Sequence, residues 1–201
     1  MTNDLPLPPR LSAAFIFALA IVSLRLQFDA SHVEMRSISV SATLWAMAGY
    51  FTVLTNLVVA VMMALVAMRW QVPGRLAFAV TVAIVMVGLV YHTLLAGLVD
   101  PVGMAWWADQ GLHTAVPALT LVWWLLFAPE PGKGVHGTAL IWPLAYLTYA
   151  LTRGALTGFW PYPFLDVGRL GWLSVSLNCA GMVLAFVAVS AILITAKRRL
   201  G

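Results

Sequence analysis

Charged residues and cysteine are both scarce in this chain of 201 residues. Only 9% of the residues are charged, whereas a soluble domain carries roughly 25%. A water-soluble protein with 62% hydrophobic residues could not cover its surface with polar groups, so the composition excludes a soluble globular domain. The single cysteine, Cys179, excludes a disulfide framework within the chain and leaves the redox compartment open.

The sequence also lacks the motifs of cofactor, metal and nucleic-acid sites. No group of Cys, His, Asp and Glu has the spacing of a metal site, and no glycine-rich loop would cradle a phosphate. The net charge of +4 is modest and, in so apolar a chain, indicates contact with an anionic membrane surface rather than with nucleic acid. We therefore expect no cofactor and no nucleic-acid partner, and the oligomeric state is left open. The polar, proline-rich residues 1–10 also predict that no signal peptide is present.

Long apolar runs dominate the chain instead, and its mean hydropathy is +0.94. A membrane-spanning helix needs about 20 mostly apolar residues, and strands can span a membrane only in a closed barrel. The predicted spanning helices are residues 11–28, 43–68, 76–98, 108–127, 137–156 and 171–196. The predicted fold is therefore all-α, with residues 1–201 forming a single domain of six transmembrane helices.

The distribution of lysine and arginine predicts the orientation of these helices, because cytoplasmic loops carry an excess of both. With six crossings, the two termini share one side of the membrane. That side carries most of the basic residues: Arg10, Arg69, Arg75, Lys133, Lys197, Arg198 and Arg199. The other side carries Arg25, Arg36, Arg153 and Arg169, with the acids Asp29, Glu34, Asp100, Asp109 and Asp166. Both termini are therefore predicted to be cytoplasmic.

Polar residues within the predicted spans gather in the outer half of the membrane. They are Arg25, Thr52, Thr55, Asn56, Tyr91, His92, His113, Tyr149, Arg153 and Asn178. A charge at the bilayer centre costs at least about 2.5 kcal/mol, so such groups usually face the interior of a bundle. The pattern predicts one polar chamber close to the outer face. Purely structural roles are the alternative: Arg25 can pair with Asp29, and the asparagines can join helices by hydrogen bonds.

Thr52 and His113 are the residues in this set whose chemistry suits catalysis. A threonine hydroxyl is a weak nucleophile unless a base lies within hydrogen-bond reach, and neutral histidine can act as that base. Pro117 follows His113 by four residues and frees the His113 carbonyl from its helical bond, which would widen a polar pocket. Asn56 shares a helix face with Thr52, and an asparagine amide can donate to a developing oxyanion.

Three stretches resemble the family of the androgen-induced gene and androgen-dependent TFPI-regulating proteins. Residues 50–57, Tyr-Phe-Thr-Val-Leu-Thr-Asn-Leu, resemble its second-helix motif, and residues 112–117, Leu-His-Thr-Ala-Val-Pro, resemble its histidine-containing fourth helix. Residues 146–153 and 158–164 resemble its fifth helix and the Tyr-Pro loop that follows. Their order and spacing are most similar to the bacterial six-helix branch of the family, which implies a location in a bacterial plasma membrane.

The resemblance implies an intramembrane hydrolase of lipid esters. Animal members hydrolyse fatty acid esters of hydroxy fatty acids with one threonine and one histidine, which fall on Thr52 and His113. A one-residue gap would give the role of Thr52 to Thr55. On this hypothesis Asn56 or Asn178 stabilises the oxyanion, and the substrate would enter from the bilayer. Arg153, with Tyr149 and Tyr162, would hold a substrate carboxylate through the planar guanidinium.

Two other functions are consistent with the same residues. A protein that binds or transports lipid without catalysis could use the same chamber and would tolerate the replacement of Thr52 by valine. A haem protein could use His92 and His113 as axial ligands, because both are predicted in the same half of the membrane. His92 has no counterpart in the family resemblance.

Overall fold

The structure is a computed structural model that describes residues 7–36 and 39–200. Every secondary-structure element in these ranges is helical, which confirms the predicted all-α class. The helices form two compact units that divide after Gly132, and each is described by itself. The single domain expected from the sequence stays a prediction.

The first unit is built from six described helices. The first and longest of them, α1, packs against α3, α5 and α6. The described helices are α1 (Leu7–Glu34), α2 (Val40–Met47), α3 (Phe51–Ala67), α4 (Gly74–Val90), α5 (Met104–Gln110) and α6 (Val116–Phe127). The π-helical turn Tyr91–Leu95 extends α4, and a second one, Gly111–Ala115, joins α5 to α6.

The second unit contains α7 (His136–Thr157), a 3-10 turn (Pro163–Leu165) and α8 (Val167–Leu200). Its long helix is broken at Gly171, whose φ of 76° and ψ of 160° only glycine adopts without strain. A hydrogen bond of 2.5 Å between His136 Nδ1 and Ser190 Oγ joins α7 to α8.

Within residues 7–36 and 39–200, four helical stretches are long and apolar enough to cross a membrane, and the count rises to five if a bent pair forms one span. The four are Leu7–Glu34, Gly74–Leu95, Met104–Phe127 and Val167–Leu200. The bent pair is α2 and α3. The predicted fifth span, 137–156, falls on α7, which has 22 residues. This helix is long enough to cross a membrane, but it is not among the four stretches that are also apolar enough.

A sharp bend divides the predicted second span, 43–68, which we expected to be one continuous helix. It consists instead of α2 and α3, which meet at 94°. Ala48 and Gly49 still donate to carbonyls of α2, whereas Tyr50 is extended, with φ of −98° and ψ of 129°. The chain therefore changes direction immediately before Thr52, which places this threonine in the first turn of α3.

Contacts within the first unit identify the ends of its helices that lie together. Arg10 donates through Nε to the carbonyl of Ala67 at 3.3 Å, so the start of α1 lies beside the end of α3. Trp123 near the end of α6 donates to the carbonyl of Pro9 at 3.0 Å. The start of α3 therefore lies at the opposite end of this unit. At that opposite end, Arg25 and Asp29 form an ion pair at 2.8 Å, which is the structural alternative to a place for Arg25 in the polar chamber.

Candidate active site

His113 lies between a threonine from another helix and a carboxylate from its own. Its Nε2 atom is 3.3 Å from Thr52 Oγ1, and its Nδ1 atom is 3.0 Å from Asp109 Oδ1. All three residues are largely buried: Thr52 is 8% exposed and Asp109 7%, and the His113 side chain is 14% exposed. The arrangement has the geometry of a nucleophile, a base and a group that orients the base.

The π-helical turn around His113 results from its local sequence. The N–H of Val116 donates to Gly111 O, five residues back, rather than to Leu112 O as in an α-helix. Pro117 has no N–H, so it cannot donate to the carbonyl of His113 as in an α-helix, or to that of Leu112 as in a π-helix. Leu112 O accepts a hydrogen bond of 3.2 Å from Asn56 Nδ2 instead. The widened turn thus gives the helix that carries His113 a direct link to α3.

Asn56 connects the two helices that carry Thr52 and His113. Its Nδ2 group donates to Thr52 O at 2.9 Å and to Leu112 O at 3.2 Å, and the residue is 0% exposed. Both N–H groups of the amide are thereby used, so in this arrangement neither is directed at a substrate oxyanion. We therefore assign Asn56 to positioning the two helices rather than to the predicted oxyanion contact.

Tyr91 packs directly on the face of the His113 ring. The two rings are stacked at a centroid distance of 4.0 Å, with an angle of 13° between their planes. The Tyr91 hydroxyl donates to Asp109 Oδ2 at 2.5 Å. Tyr91 thus contacts both the imidazole and the carboxylate that holds it.

From the sequence, neither Asp109 nor Tyr91 received a role in the site, although Tyr91 was among the polar residues of the predicted chamber. Asp109 was counted with the charged residues on the side of the membrane opposite the termini, and the structure places it inside α5 and buries it. The available signal was its position four residues before His113, a spacing that puts two side chains on one helical face. Tyr91 could not be found in this way, because only the packing of α4 against α6 brings it to His113.

His92 belongs to a separate and more exposed group. Its Nε2 atom is 3.0 Å from Thr114 Oγ1, and Thr114 donates to Gln110 Oε1 at 3.3 Å. The His92 ring meets the edge of Tyr91 at 5.1 Å, whereas the His113 ring stacks on Tyr91. The structure therefore places the two histidines close to one tyrosine but in different hydrogen-bonding environments.

Thr55, the alternative nucleophile, is completely buried in α3. The described contact of His113 Nε2 is to Thr52. This geometry favours Thr52 as the partner of the imidazole.

The remaining candidates lie in the second unit. Arg153 is 6% exposed, donates to Tyr149 Oη at 2.9 Å, and lies over the Phe159 ring at 4.6 Å from its centroid. Tyr162 stacks on Phe164 at 5.2 Å, and Asn178 donates to Phe164 O at 2.9 Å. Asn178 thus holds the 3-10 turn against α8, and its amide has a structural partner.

No protein-family model matches this chain, and no curated protein or solved structure matches it significantly. The chemistry of the site therefore has to be derived from its own geometry. Among residues 7–36 and 39–200, no three His, Cys, Asp or Glu side chains are grouped so that they could hold a metal ion. The Thr52, His113 and Asp109 side chains are suited to removing a proton from a hydroxyl and delivering it to a leaving group.

Proposed function

We propose that this protein hydrolyses fatty-acyl esters of lipids within the membrane, with Thr52 as nucleophile and His113 as its base. The observation that carries the proposal is the 3.3 Å distance between Thr52 Oγ1 and His113 Nε2. A catalytic hydrogen bond is often this long without substrate and shortens in the complex. The resemblance of residues 50–57 and 112–117 to an intramembrane hydrolase family supports the same pair.

The reaction proceeds in two halves. In the first, His113 Nε2 removes the Thr52 hydroxyl proton as Oγ1 attacks the ester carbonyl, and the carbonyl electron pair moves to oxygen. The tetrahedral intermediate collapses, the carbon–alkoxide bond breaks, and the alkoxide takes the proton from His113. In the second half, His113 removes a proton from water, which attacks the acyl-threonine, and Thr52 recovers its proton as the fatty acid departs.

A lipid ester is the substrate class that this environment favours. Large apolar side chains on the helices that carry the site are exposed on the surface of the first unit, including Leu57 at 49%, Val61 at 55% and Leu126 at 63%. Such a surface is suited to acyl chains, and a substrate dissolved in the bilayer would reach the site without crossing water. The substrate carboxylate contact predicted for Arg153 stays a prediction.

The test is ester hydrolysis by the purified full chain in detergent, measured with a long-chain 4-nitrophenyl ester and with a natural acylglycerol. We expect Thr52→Ala and His113→Ala each to lower kcat by at least about 10³-fold, as loss of a nucleophile or base does in other hydrolases. Thr55→Val, a change at the neighbouring buried threonine, is expected to retain activity. A Thr52→Ala variant with full activity would remove Thr52 from the mechanism, and loss of activity only in Thr55→Val would transfer the role to Thr55.

Trapping of the nucleophile separates catalysis from simple lipid binding. A long-chain fluorophosphonate should form a covalent adduct on the peptide that contains Thr52, and His113→Ala should prevent it. Lipid bound without turnover or adduct, and unchanged in Thr52→Val, would favour a non-enzymatic lipid-binding protein.

The haem alternative gains no support from this geometry. A haem iron needs a ring nitrogen from each axial histidine. Both His113 nitrogens already have protein partners, in Thr52 and Asp109, and His92 Nε2 lies against Thr114. We therefore do not propose a haem function.

We also propose that the chain crosses a bacterial plasma membrane six times, with both termini in the cytoplasm. The excess of Lys and Arg on the side of the termini supports this orientation. In a Cys179→Ala background, Asp100→Cys should react with a membrane-impermeant maleimide in intact cells, whereas Lys133→Cys should react only after lysis. The reverse pattern would invert the proposed topology.

A further inference from the structure

We propose that Asp109 and Tyr91 together hold His113 as the tautomer that carries its proton on Nδ1, which leaves Nε2 as the base facing Thr52. The catalytic consequence of this inference rests on the proposed hydrolase function. The tautomer itself does not, and it can be measured without any substrate.

The surroundings of Nδ1 determine where the proton lies. This nitrogen is 3.0 Å from Asp109 Oδ1 and 3.2 Å from the Asp109 backbone oxygen. A carboxylate and a carbonyl can only accept hydrogen bonds, so both neighbours require a donor on Nδ1. A neutral imidazole carries one N–H, and the other nitrogen, Nε2, is then an acceptor directed at the Thr52 hydroxyl.

Tyr91 fixes the carboxylate and the ring at the same time. Its hydroxyl donates to Asp109 Oδ2 at 2.5 Å, which leaves Oδ1 directed at His113. Its ring covers the imidazole at 4.0 Å, so rotation of the imidazole about its bond to Cβ would break the stacking. Gln110 is a weaker second donor, since its Nε2 is 3.5 Å from Asp109 Oδ2.

The carboxylate also has a role once the imidazole is protonated. When Nε2 takes the Thr52 proton, His113 becomes a cation, and the negative charge of Asp109 stabilises it in this largely buried site. No proton passes to Asp109, and none is consumed over the full reaction. Asp109 and Tyr91 are therefore positioning residues, which act on the substrate only through His113.

Replacing Asp109 by asparagine makes a specific prediction about the tautomer. The Tyr91 hydroxyl would donate to the amide oxygen, so the amide NH₂ would face His113 and donate to Nδ1. His113 would then carry its proton on Nε2, where it cannot accept from Thr52. Removing the Tyr91 hydroxyl as well frees the amide to turn, so that its oxygen can again accept from Nδ1.

The experiment is ¹⁵N NMR of the histidine side chains in the full chain in lipid nanodiscs, with the His113 signals assigned from a His113→Gln variant. We expect the Nδ1–H form in the wild type and in Tyr91→Phe, the Nε2–H form in Asp109→Asn, and a return of Nδ1–H in the double variant Asp109→Asn/Tyr91→Phe. Asp29→Asn, a change at a carboxylate paired with Arg25, is the matched control and should leave His113 unchanged.

Ester hydrolysis provides the second measurement. Asp109→Asn should lower kcat about 10²- to 10⁴-fold with little change in KM, as a wrong tautomer does in other hydrolases, and the double variant should recover part of the loss. A wild-type His113 with its proton on Nε2, or an Asp109→Asn variant with an unchanged tautomer, would overturn the inference. The expected tautomers without any hydrolysis would refute the hydrolase function and support the positioning roles.

Discussion

Thr52 and His113 are 61 residues apart in the sequence, yet Thr52 Oγ1 lies 3.3 Å from His113 Nε2. The two residues belong to different helices, each with a break in its regular geometry beside the functional residue. Thr52 follows the 94° bend between α2 and α3, and His113 lies in the π-helical turn between α5 and α6. Such irregularities re-aim side chains that a straight helix would direct elsewhere.

Asn56 is predicted to hold these two segments together. In Asn56→Leu, the carbonyl of Leu112 loses its donor, so we expect the free energy of unfolding to fall by about 1–3 kcal/mol. We also expect kcat to fall more than KM rises, because Thr52 is displaced from His113. Thermal unfolding and steady-state kinetics measure the two effects.

The control for Asn56 is Thr120→Val. The Thr120 hydroxyl is buried and has no hydrogen-bond partner in the described part of the chain, so its loss should leave stability unchanged or higher. If both variants lowered the free energy of unfolding equally, the hydrogen bonds of Asn56 would not be the source of the stability lost in Asn56→Leu.

His92 is predicted to be dispensable for hydrolysis. Its Nε2 atom contacts Thr114 and not the Thr52–His113 pair. Because a side chain that does not contact the transition state contributes little to the rate, the kcat of His92→Ala should stay within about two-fold of the wild-type value. The comparison is with His113→Ala under the same conditions. A loss in His92→Ala as large as that in His113→Ala would place His92 in the reaction.

Pro117 is predicted to maintain the π-helical turn. In Pro117→Ala, the restored N–H can donate to the His113 carbonyl, which favours a regular α-helix and moves the His113 ring. A displacement of about 1 Å can lower the rate about 10²-fold, and we expect kcat to fall while the unfolding temperature is unchanged or higher. Pro143→Ala, at the proline inside α7, is the control and should not share the loss of activity.

Gly111 is predicted to be needed for the close approach of α1 to the turn that carries His113. A Cβ atom at this position would overlap the side chain of Ser23, so Gly111→Ala should lower the free energy of unfolding by about 1–3 kcal/mol. Ser23→Gly in the same chain should restore part of the loss. Gly181→Ala, where nothing lies within 4 Å of the added methyl group, should be neutral or stabilising, because alanine is the better helix former. Absence of any rescue by Ser23→Gly would show that steric overlap is not the cause.

Local sequence was sufficient for the helical class, and it singled out two members of the candidate site. Long apolar runs predicted helices because a backbone buried in lipid must satisfy its own hydrogen bonds. A single segment can do this only as a helix. Thr52 and His113 were recognisable because polar side chains are rare in such runs. Asp109 was given no role because an acid at the end of a predicted span is usually solvated, whereas α5 begins before it, at Met104, and the packed unit buries it.

The sequence by itself determined the helical class, the apolar character and the pair of residues whose chemistry suggests catalysis. Only the tertiary structure decided that Tyr91 covers His113, that the Tyr91 hydroxyl reaches Asp109, and that Asn56 links Thr52 to Leu112. The physical reason is that hydropathy and helical periodicity act over a few residues along the chain. Distances between helices depend on how they pack, and here also on one bend and one widened turn.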